Sequence, residues 1–149
     1  MKLVVQRVGR AEVRAGGEVV GAIGRGLMIL AGVGRDTRPD DVDWLARKIG
    51  GLRIFPDDTG RMNRSVKEVG GAILLVSQFT LFGDARKGRR PSFVSAAEPD
   101  MGEVLFERLR ERLESEGIEV ATGVFGAQMQ VELVNDGPVT LILERSGSV

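Results

Sequence analysis

The spacing of hydrophobic residues predicts strands arranged around two helices. Residues 2–14, KLVVQRVGRAEVR, partly alternate apolar and polar positions, which is typical of an extended strand. Residues 15–34, AGGEVVGAIGRGLMILAGVG, hold two short apolar runs separated by glycine-rich turns. This arrangement predicts that the first strands form a meander, in which each strand pairs with the next one along the chain.

Two later segments have helical spacing instead. In the first, the apolar residues that recur every three or four positions are Val42, Leu45, Ala46 and Ile49. An Asp or Thr before Pro39 provides a start signal, and Gly50-Gly51 provides a stop. In the second, the apolar stripe consists of Leu105, Leu109 and Leu113. Acidic residues precede that stripe and Gly117 follows it.

The other apolar segments predict the rest of a sheet. Residues 72–82, AILLVSQFTLF, begin as an apolar run without alternation, which favours a central strand covered on both faces. IEVATGVFG, MQVELVN and VTLILE are predicted to be the closing strands, and the terminal RSGSV to be frayed. We therefore expect one α/β domain of the α+β type over residues 1–149, with a largely antiparallel or mixed, barrel-like sheet and two main helices.

The composition narrows the chemistry. The chain has no His, Cys or Tyr, which excludes Ser-His-Asp triads, Cys-His dyads and zinc sites built on His or Cys. An enzyme of this composition relies on hydroxyls, amides, carboxylates, Lys, Arg, backbone groups or the substrate's own groups. We expect no cofactor and no metal. The formal net charge is +0, so attraction to nucleic acid would have to come from a local patch.

The sequence also indicates where in the cell the protein is expected. The N-terminal MKLVVQRVGR has a very short apolar run and lacks the pattern of a signal peptide. No segment approaches the roughly 18 consecutive apolar residues of a membrane span. We expect a cytoplasmic protein without a membrane partner.

SQFTL, residues 77–81, is the first candidate for chemistry. Ser77, Gln78 and Thr80 end a strand that begins as pure core. Polar side chains that meet exposed backbone N–H groups at a strand end can bind a carbonyl or an oxyanion. These side chains would equally serve to satisfy the local backbone. A nucleophilic Ser or Thr needs an activating base, and no His is present to supply it.

The basic segment GDARKGRRPSF is the second candidate. Its cations are Arg86, Lys87, Arg89 and Arg90. Such a cluster can bind phosphates, although a basic run is more often a solvated loop. The cluster directly follows SQFTLF in a chain that is otherwise neutral, which favours phosphate binding.

NDGPVT, residues 135–140, is the third candidate. Its pattern alone predicts the turn of a hairpin between QMQVELV and VTLILE. An X-Pro bond can instead be cis, which would turn neighbouring carbonyls the same way and create a rigid acceptor site for an ammonium. Both interpretations remain open from the residues alone.

Together these motifs resemble the D-aminoacyl-tRNA deacylase family. SQFTL after an apolar strand, the basic KGRRPSF loop and the late NDGPVT occur here in that order, and MKLVVQRV and GLMILAGVGRDT are similar to the family as well. The resemblance covers essentially the whole chain. It implies a homodimeric enzyme that hydrolyses the ester between a D-amino acid, or glycine, and the terminal ribose of a tRNA, which is a chiral proofreading activity.

The resemblance also implies which residues form the site. The pocket around the ester and the terminal adenosine is lined by Ser77, Gln78, Phe79 and Thr80. Main-chain oxygens of Gly137 and Pro138 from the other subunit, with their peptide bond in cis, hold the substrate's α-ammonium, and Arg7 helps to fix that loop. The RNA 2′-hydroxyl assists attack by water, and backbone N–H groups near Phe79 and Thr80 stabilise the oxyanion.

Alternatives of other classes share these motifs. One is a non-catalytic dimeric module that binds the aminoacyl end of tRNA, or a small-ligand binder on the same fold. Another is a hydrolase of other acyl esters in which Thr80 is the nucleophile.

Overall fold

The computed structural model describes residues 1–147. Within them the strands are β1 (Lys2–Ala15), β2 (Glu18–Ile23), β3 (Gly26–Gly32), β4 (Phe55–Pro56), β5 (Met62–Arg64), β6 (Ala72–Ser77), β7 (Glu119–Thr122) and β8 (Met129–Glu144). The helices are α1 (Pro39–Gly51) and α2 (Pro99–Ser115), and a 3₁₀ turn covers Phe79–Phe82. The two predicted helices and the predicted mixed sheet are confirmed.

The long strand β1 organises the sheet. One of its edges pairs with β8 over its whole length, while the other pairs first with β3 and then with β2. The predicted meander is therefore wrong, since β2 and β3 both pair with β1 rather than with each other. A register shift around Gly9 bends β1 between its two partners, as an extra residue in a strand does. On the far side of β3, the strands β6 and β7 run parallel to it.

The bend in β1 brings β2 back over the other strands, so that the sheet becomes barrel-like. Gly21 of β2 lies against β7, where a Cβ atom on Gly21 would be 2.5 Å from the Thr122 carbonyl oxygen. Only glycine permits so close an approach of two backbones. The sheet is thus nearly closed between β2 and β7.

The apolar core lies on both faces of the central strands. Ile73 and Leu75 of β6 face the helices, whereas Leu74 and Val76 face the inside of the curved sheet, and all four are buried. The prediction of a central strand covered on both faces is confirmed. This strand ends earlier than the apolar run does, at Ser77, because the chain then enters the 3₁₀ turn.

The helices pack against each other and against one face of the sheet. The predicted stripes are buried in that core. Helix α1 begins at Pro39 as predicted, but its N-cap is Arg38 rather than an Asp or Thr. Asp43 of α1 accepts two hydrogen bonds of 2.8 Å from Arg108 of α2, and Arg112 lies 3.1 Å from the same carboxylate. This contact fixes one helix against the other.

NDGPVT is not a hairpin turn. Val8 of β1 pairs with Asn135 and Gln6 pairs with Thr140, so residues 136–139 all lie opposite Arg7. The chain continues in the same direction on both sides of them, as a single strand with a wide bulge. The local turn signals were misleading because pairing with β1 continues on both sides of the bulge.

The end of the described chain is not frayed as predicted. Arg145 donates its backbone N–H to the Met1 carbonyl, and Gly147 donates to the Asp41 carboxylate. Ser148 and Val149, the rest of the predicted frayed segment, lie outside the described residues. Within residues 1–147, no helix is long and apolar enough to cross a membrane.

Candidate active site

The site begins where β6 ends. The Gln78 N–H donates to the Ala31 carbonyl at 2.8 Å, which extends the pairing with β3 by one residue. The chain then turns through Phe79–Phe82 against the end of β3. Gly32 and Gly34 allow this approach: a Cβ on Gly32 would lie 2.8 Å from the Gln78 carbonyl oxygen, and one on Gly34 would lie 2.6 Å from the Phe82 ring.

A cavity of about 540 Å³ opens beside this turn, at the mouth of the barrel-like sheet. Ser77, Gln78 and Phe79 form part of its wall. Val76 of the same strand and residues from distant segments complete it, among them Phe93, Ala97, Phe125, Met129 and Val131. An apolar cavity with a few polar groups on one side is typical of a small-molecule site.

The polar part of the cavity wall is formed by Ser77 and Gln78, and one carboxylate, that of Glu98, lies elsewhere on the wall. The Gln78 amide donates a hydrogen bond to the Thr80 hydroxyl oxygen, and no carboxylate or amine of residues 1–147 hydrogen-bonds that hydroxyl. Thr80 itself is exposed beside the cavity rather than part of its wall. The first N–H groups of a helix have no acceptor within it, so those of Phe79 and Thr80 remain available to a ligand.

The basic segment forms a short hairpin that ends next to Phe93, a residue of the cavity wall. Asp84 and Ser92 exchange two backbone hydrogen bonds, of 2.8 and 2.9 Å. The Arg86 guanidinium donates to both oxygens of Asp84, at 2.9 and 2.7 Å, and lowers the pKa of that carboxyl to about 2. Arg86 therefore braces the hairpin, a role that the sequence did not predict. The exposed cations at the tip are Lys87, Arg89 and Arg90.

The other predicted site residues lie at the opposite end of the sheet. The bulge faces Arg7, which pairs with Leu27, and Leu27 pairs with Ile73. Ile73 is four residues before Ser77, which corresponds to about 13 Å along β6. One chain therefore does not bring the bulge to the cavity.

Arg7 and Asn135 hold the bulge in place. Arg7 donates Nε to the Asp136 carbonyl at 2.9 Å and Nη1 to the Ile54 carbonyl at 2.7 Å. Asn135 accepts from the Val139 N–H at 2.7 Å and donates to the Val139 carbonyl at 3.2 Å, so its side chain closes the loop. The Gly137–Pro138 peptide bond is cis, as the resemblance implies.

Comparison with known proteins identifies the family. A family described as D-Tyr-tRNA(Tyr) deacylase matches residues 4–144 of the chain. The chain belongs to this family. It is 55% identical over 146 residues to a D-aminoacyl-tRNA deacylase of Thermotoga petrophila, which covers 98% of both chains. It is 57% identical over 145 residues to a D-aminoacyl-tRNA deacylase of Chlorobaculum tepidum, which covers 97% of both.

Two solved structures share the fold of this chain. The chain superposes with a TM-score of 0.91 on a protein described as c-Myc DNA Unwinding Element Binding Protein, at 40% identity and covering 99% of this chain and 100% of that one. A probable eukaryotic D-amino acid tRNA deacylase superposes with a TM-score of 0.76 over 95% of this chain and 97% of the other. That second protein is 21% identical and shares the fold.

Some residues of the candidate site were not predicted from the sequence. Phe125 and Met129 are half-buried, pack against the apolar core with one side and line the cavity. No local signal marks them, because their role depends on the fold bringing them beside β6. Asn135 was predicted only as turn chemistry, whereas its side chain closes the bulge.

Proposed function

We propose that this protein hydrolyses the ester between a D-amino acid and the 3′-terminal ribose of tRNA, releasing the free amino acid and reusable tRNA. Glycine, which has no side chain, is a second substrate. The observation that carries the proposal is the Ser77–Thr80 strand end beside an apolar cavity, in a chain that belongs to the deacylase family over residues 4–144. This proofreading takes place where aminoacyl-tRNA is made and used, in the cytoplasm.

The active site is completed by a second copy of the chain. Within one chain the bulge and the Ser77 strand end lie at opposite ends of the sheet, so a homodimer is needed to bring the two together. An apolar row on the sheet, exposed at Ile142 and half-buried at Val4 and Leu30, supports such an association. Ile142, Val4 and Leu30 are paired across β8, β1 and β3 and therefore share one face, and Ile142 is 74% exposed.

Each half of the site has a separate task. Main-chain oxygens of Gly137 and Pro138 accept hydrogen bonds from the substrate's α-ammonium. Ser77, Gln78 and Phe79 line the cavity that receives the ester and the terminal adenosine. The free N–H groups of Phe79 and Thr80 are donors for the oxyanion that forms when the carbonyl is attacked.

The nucleophile is water, assisted by the substrate. An aminoacyl ester carries a vicinal 2′-hydroxyl beside its carbonyl, which can orient the attacking water. The water oxygen bonds to the carbonyl carbon, the bond from that carbon to the ribose 3′-oxygen breaks, and a proton passes to that oxygen. Since the chain has no His or Cys and the Thr80 hydroxyl has no basic partner in residues 1–147, nucleophilic catalysis by Thr80 has less support.

Chirality is selected by exclusion. With both the ammonium and the carbonyl fixed, the substrate side chain has two directions. One opens to solvent and the other meets backbone, so the β-carbon of an L-residue has no room. This arrangement accepts D-residues with varied side chains, because the side chain itself is not bound.

Turnover by the purified protein tests the proposal. We expect release of the amino acid from several D-aminoacyl-tRNAs and much slower release from the L-aminoacyl forms of the same tRNAs. A non-catalytic module would bind the aminoacyl end and leave both esters intact. Equal rates on D and L forms would contradict selection by the main chain and favour a general acyl-ester hydrolase.

A further inference from the structure

Two aromatic rings stand exposed at the edge of the cavity. Phe79 is 58% exposed and Phe93 is 39% exposed, and their centroids lie 5.2 Å apart with the ring planes at 70°. We call this pair the aromatic rim. Neither ring is needed in the apolar core, which consists of other residues. Exposed apolar side chains grouped beside a cavity mark a binding surface.

The rim is held rigidly. Phe93 follows directly after Ser92, whose two backbone hydrogen bonds to Asp84 close the basic hairpin. One edge of the Phe93 ring also packs on Gly83, where an added Cβ would lie 3.0 Å from it. A ring that is already fixed loses little entropy when a flat ligand stacks on it.

The cations of the hairpin precede Phe93 of the rim closely in sequence. Arg90 lies three residues before Phe93, with Arg89 and Lys87 close behind it, and these three cations form no ion pair within residues 1–147. Proteins bind single-stranded nucleic acid with aromatic rings and cations together, because each nucleotide has a base that stacks on a ring and a phosphate that attracts a cation.

We infer that the aromatic rim stacks an unpaired nucleobase upstream of the terminal adenosine, while Lys87, Arg89 and Arg90 bind the phosphates of the same single strand. This inference rests on the proposed function, in which the terminal adenosine occupies the cavity inside the rim. Phe93 then contributes to recognition of the RNA 3′ end independently of the amino acid.

A double-mutant cycle between protein and RNA tests the stacking. The ligand is a short RNA hairpin with an unpaired 3′ end, either intact or lacking the base of the penultimate nucleotide, and its Kd is measured by fluorescence anisotropy. Phe93→Leu should weaken binding of the intact RNA about tenfold, and removal of the base should weaken binding to the wild-type protein about as much. The two changes together should weaken binding little further, and Phe93→Tyr should retain the wild-type Kd.

Three results would overturn the inference. The first is that the losses of affinity from Phe93→Leu and from base removal add up fully when both changes are made. The second is that base removal leaves the Kd of the wild-type protein unchanged. The third is that the Phe93→Leu protein is a monomer, which would place the rim in the contact between copies. Val104→Ala is the matched control, since Val104 is an apolar residue 64% exposed on α2.

Failure of the proposed function gives a different pattern. The same protein is assayed with the D-alanyl ester of this RNA and with the D-alanyl ester of adenosine. Coupled binding losses without hydrolysis of either ester would contradict the catalytic proposal and leave the stacking supported. With hydrolysis of both esters, Phe93→Leu should lower the preference for the RNA ester over the adenosine ester about tenfold. If Phe93→Leu kept the wild-type preference for the RNA ester, that result would contradict stacking of a base on the rim.

Discussion

The Thr80 hydroxyl accepts a hydrogen bond from the Gln78 amide and has no basic partner in residues 1–147. We therefore predict that Thr80→Ala lowers kcat only about fivefold, the effect of one lost hydrogen bond. Loss of a nucleophile lowers kcat by about four to six orders of magnitude. Single-turnover hydrolysis of D-aminoacyl-tRNA distinguishes the two. A near-complete loss in a folded Thr80→Ala protein would restore Thr80 as the nucleophile.

Asn135 is the residue whose side chain closes the bulge, through hydrogen bonds to both backbone groups of Val139. Asn135→Ala should let the Gly137 and Pro138 carbonyls move, and a displacement of about 1 Å can cost a hundredfold in rate. We expect kcat/KM for D-aminoacyl-tRNA to fall by about that factor. Gln130→Ala, an exposed position on the same strand, is the control and should be near wild type. Equal activity of both variants would show that the bulge needs no such closure.

At the scale of elements, the apolar contact between α1 and α2 is supplemented by ion pairs to one carboxylate, that of Asp43. Hydrogen bonds from Arg108 hold the pKa of Asp43 below its usual value of 3.8. A depressed pKa means that these ion pairs stabilise the fold above pH 3.8 and are lost as the pH falls through the lower, folded-state pKa. Asp43→Asn should thus lower stability by about 1–2 kcal/mol at neutral pH.

Thermal unfolding across pH checks this prediction. The Tm difference between Asp43→Asn and wild type should be constant at neutral pH and shrink below about pH 4. Glu103→Gln, which removes an exposed carboxylate on α2, should show no such dependence. A difference that persists at low pH would mean that packing rather than charge holds the helices together.

The basic hairpin is the element expected to meet the RNA backbone. Arg89→Ala with Arg90→Ala should weaken tRNA binding and reduce the slope of log K against log salt by about 1.5, because two fewer phosphates are neutralised. Arg47→Ala with Lys48→Ala, on the exposed side of α1, is a control of equal charge. If both pairs change the slope alike, the hairpin is only a solvated loop.

The elements differ in how far the sequence determined them. The stripes of α1 and α2 and the apolar run of β6 depend on residues close in sequence, so their periods predicted them correctly. The partners of β1 depend on contacts between distant segments, which periodicity does not encode, and the meander was therefore wrong.

The same division holds within the candidate site. Ser77 and Gln78 were predicted because a polar pair ends an apolar strand, and both line the cavity. The sequence could not show Phe125 and Met129 there, since only the closed sheet brings them beside β6. Arg86 was grouped with the tip cations by charge, yet Asp84 two residues earlier holds it.

At the scale of the whole molecule, the proposed site shared between two copies predicts complementation. Ser77→Trp disables the cavity side by filling the cavity that Ser77 lines. Gly137→Val disables the bulge, because its Cβ would lie 2.7 Å from the Val139 side chain. Each homodimer should be inactive. After subunit exchange in an equal mixture, half of the dimers are mixed and each has one intact site, which gives about a quarter of the wild-type activity.

Recovery of hydrolysis after the mixture has been unfolded and refolded together is the measurement. Each variant refolded alone is the control. No recovery, with mixed dimers detected by mass, would mean that one chain carries both halves of its own site.

The bulge in β8 has a consequence for how this enzyme can change over time. Its proposed contact with substrate uses main-chain atoms, which all amino acids share, and its path is set by pairing with β1 on both sides. Substitutions in the loop therefore either preserve the main-chain contact with substrate or abolish it, and few of them give a contact of intermediate strength. Selection for a new stereochemical preference would have little variation to act on, whereas the exposed rim and hairpin could adapt to new tRNAs freely.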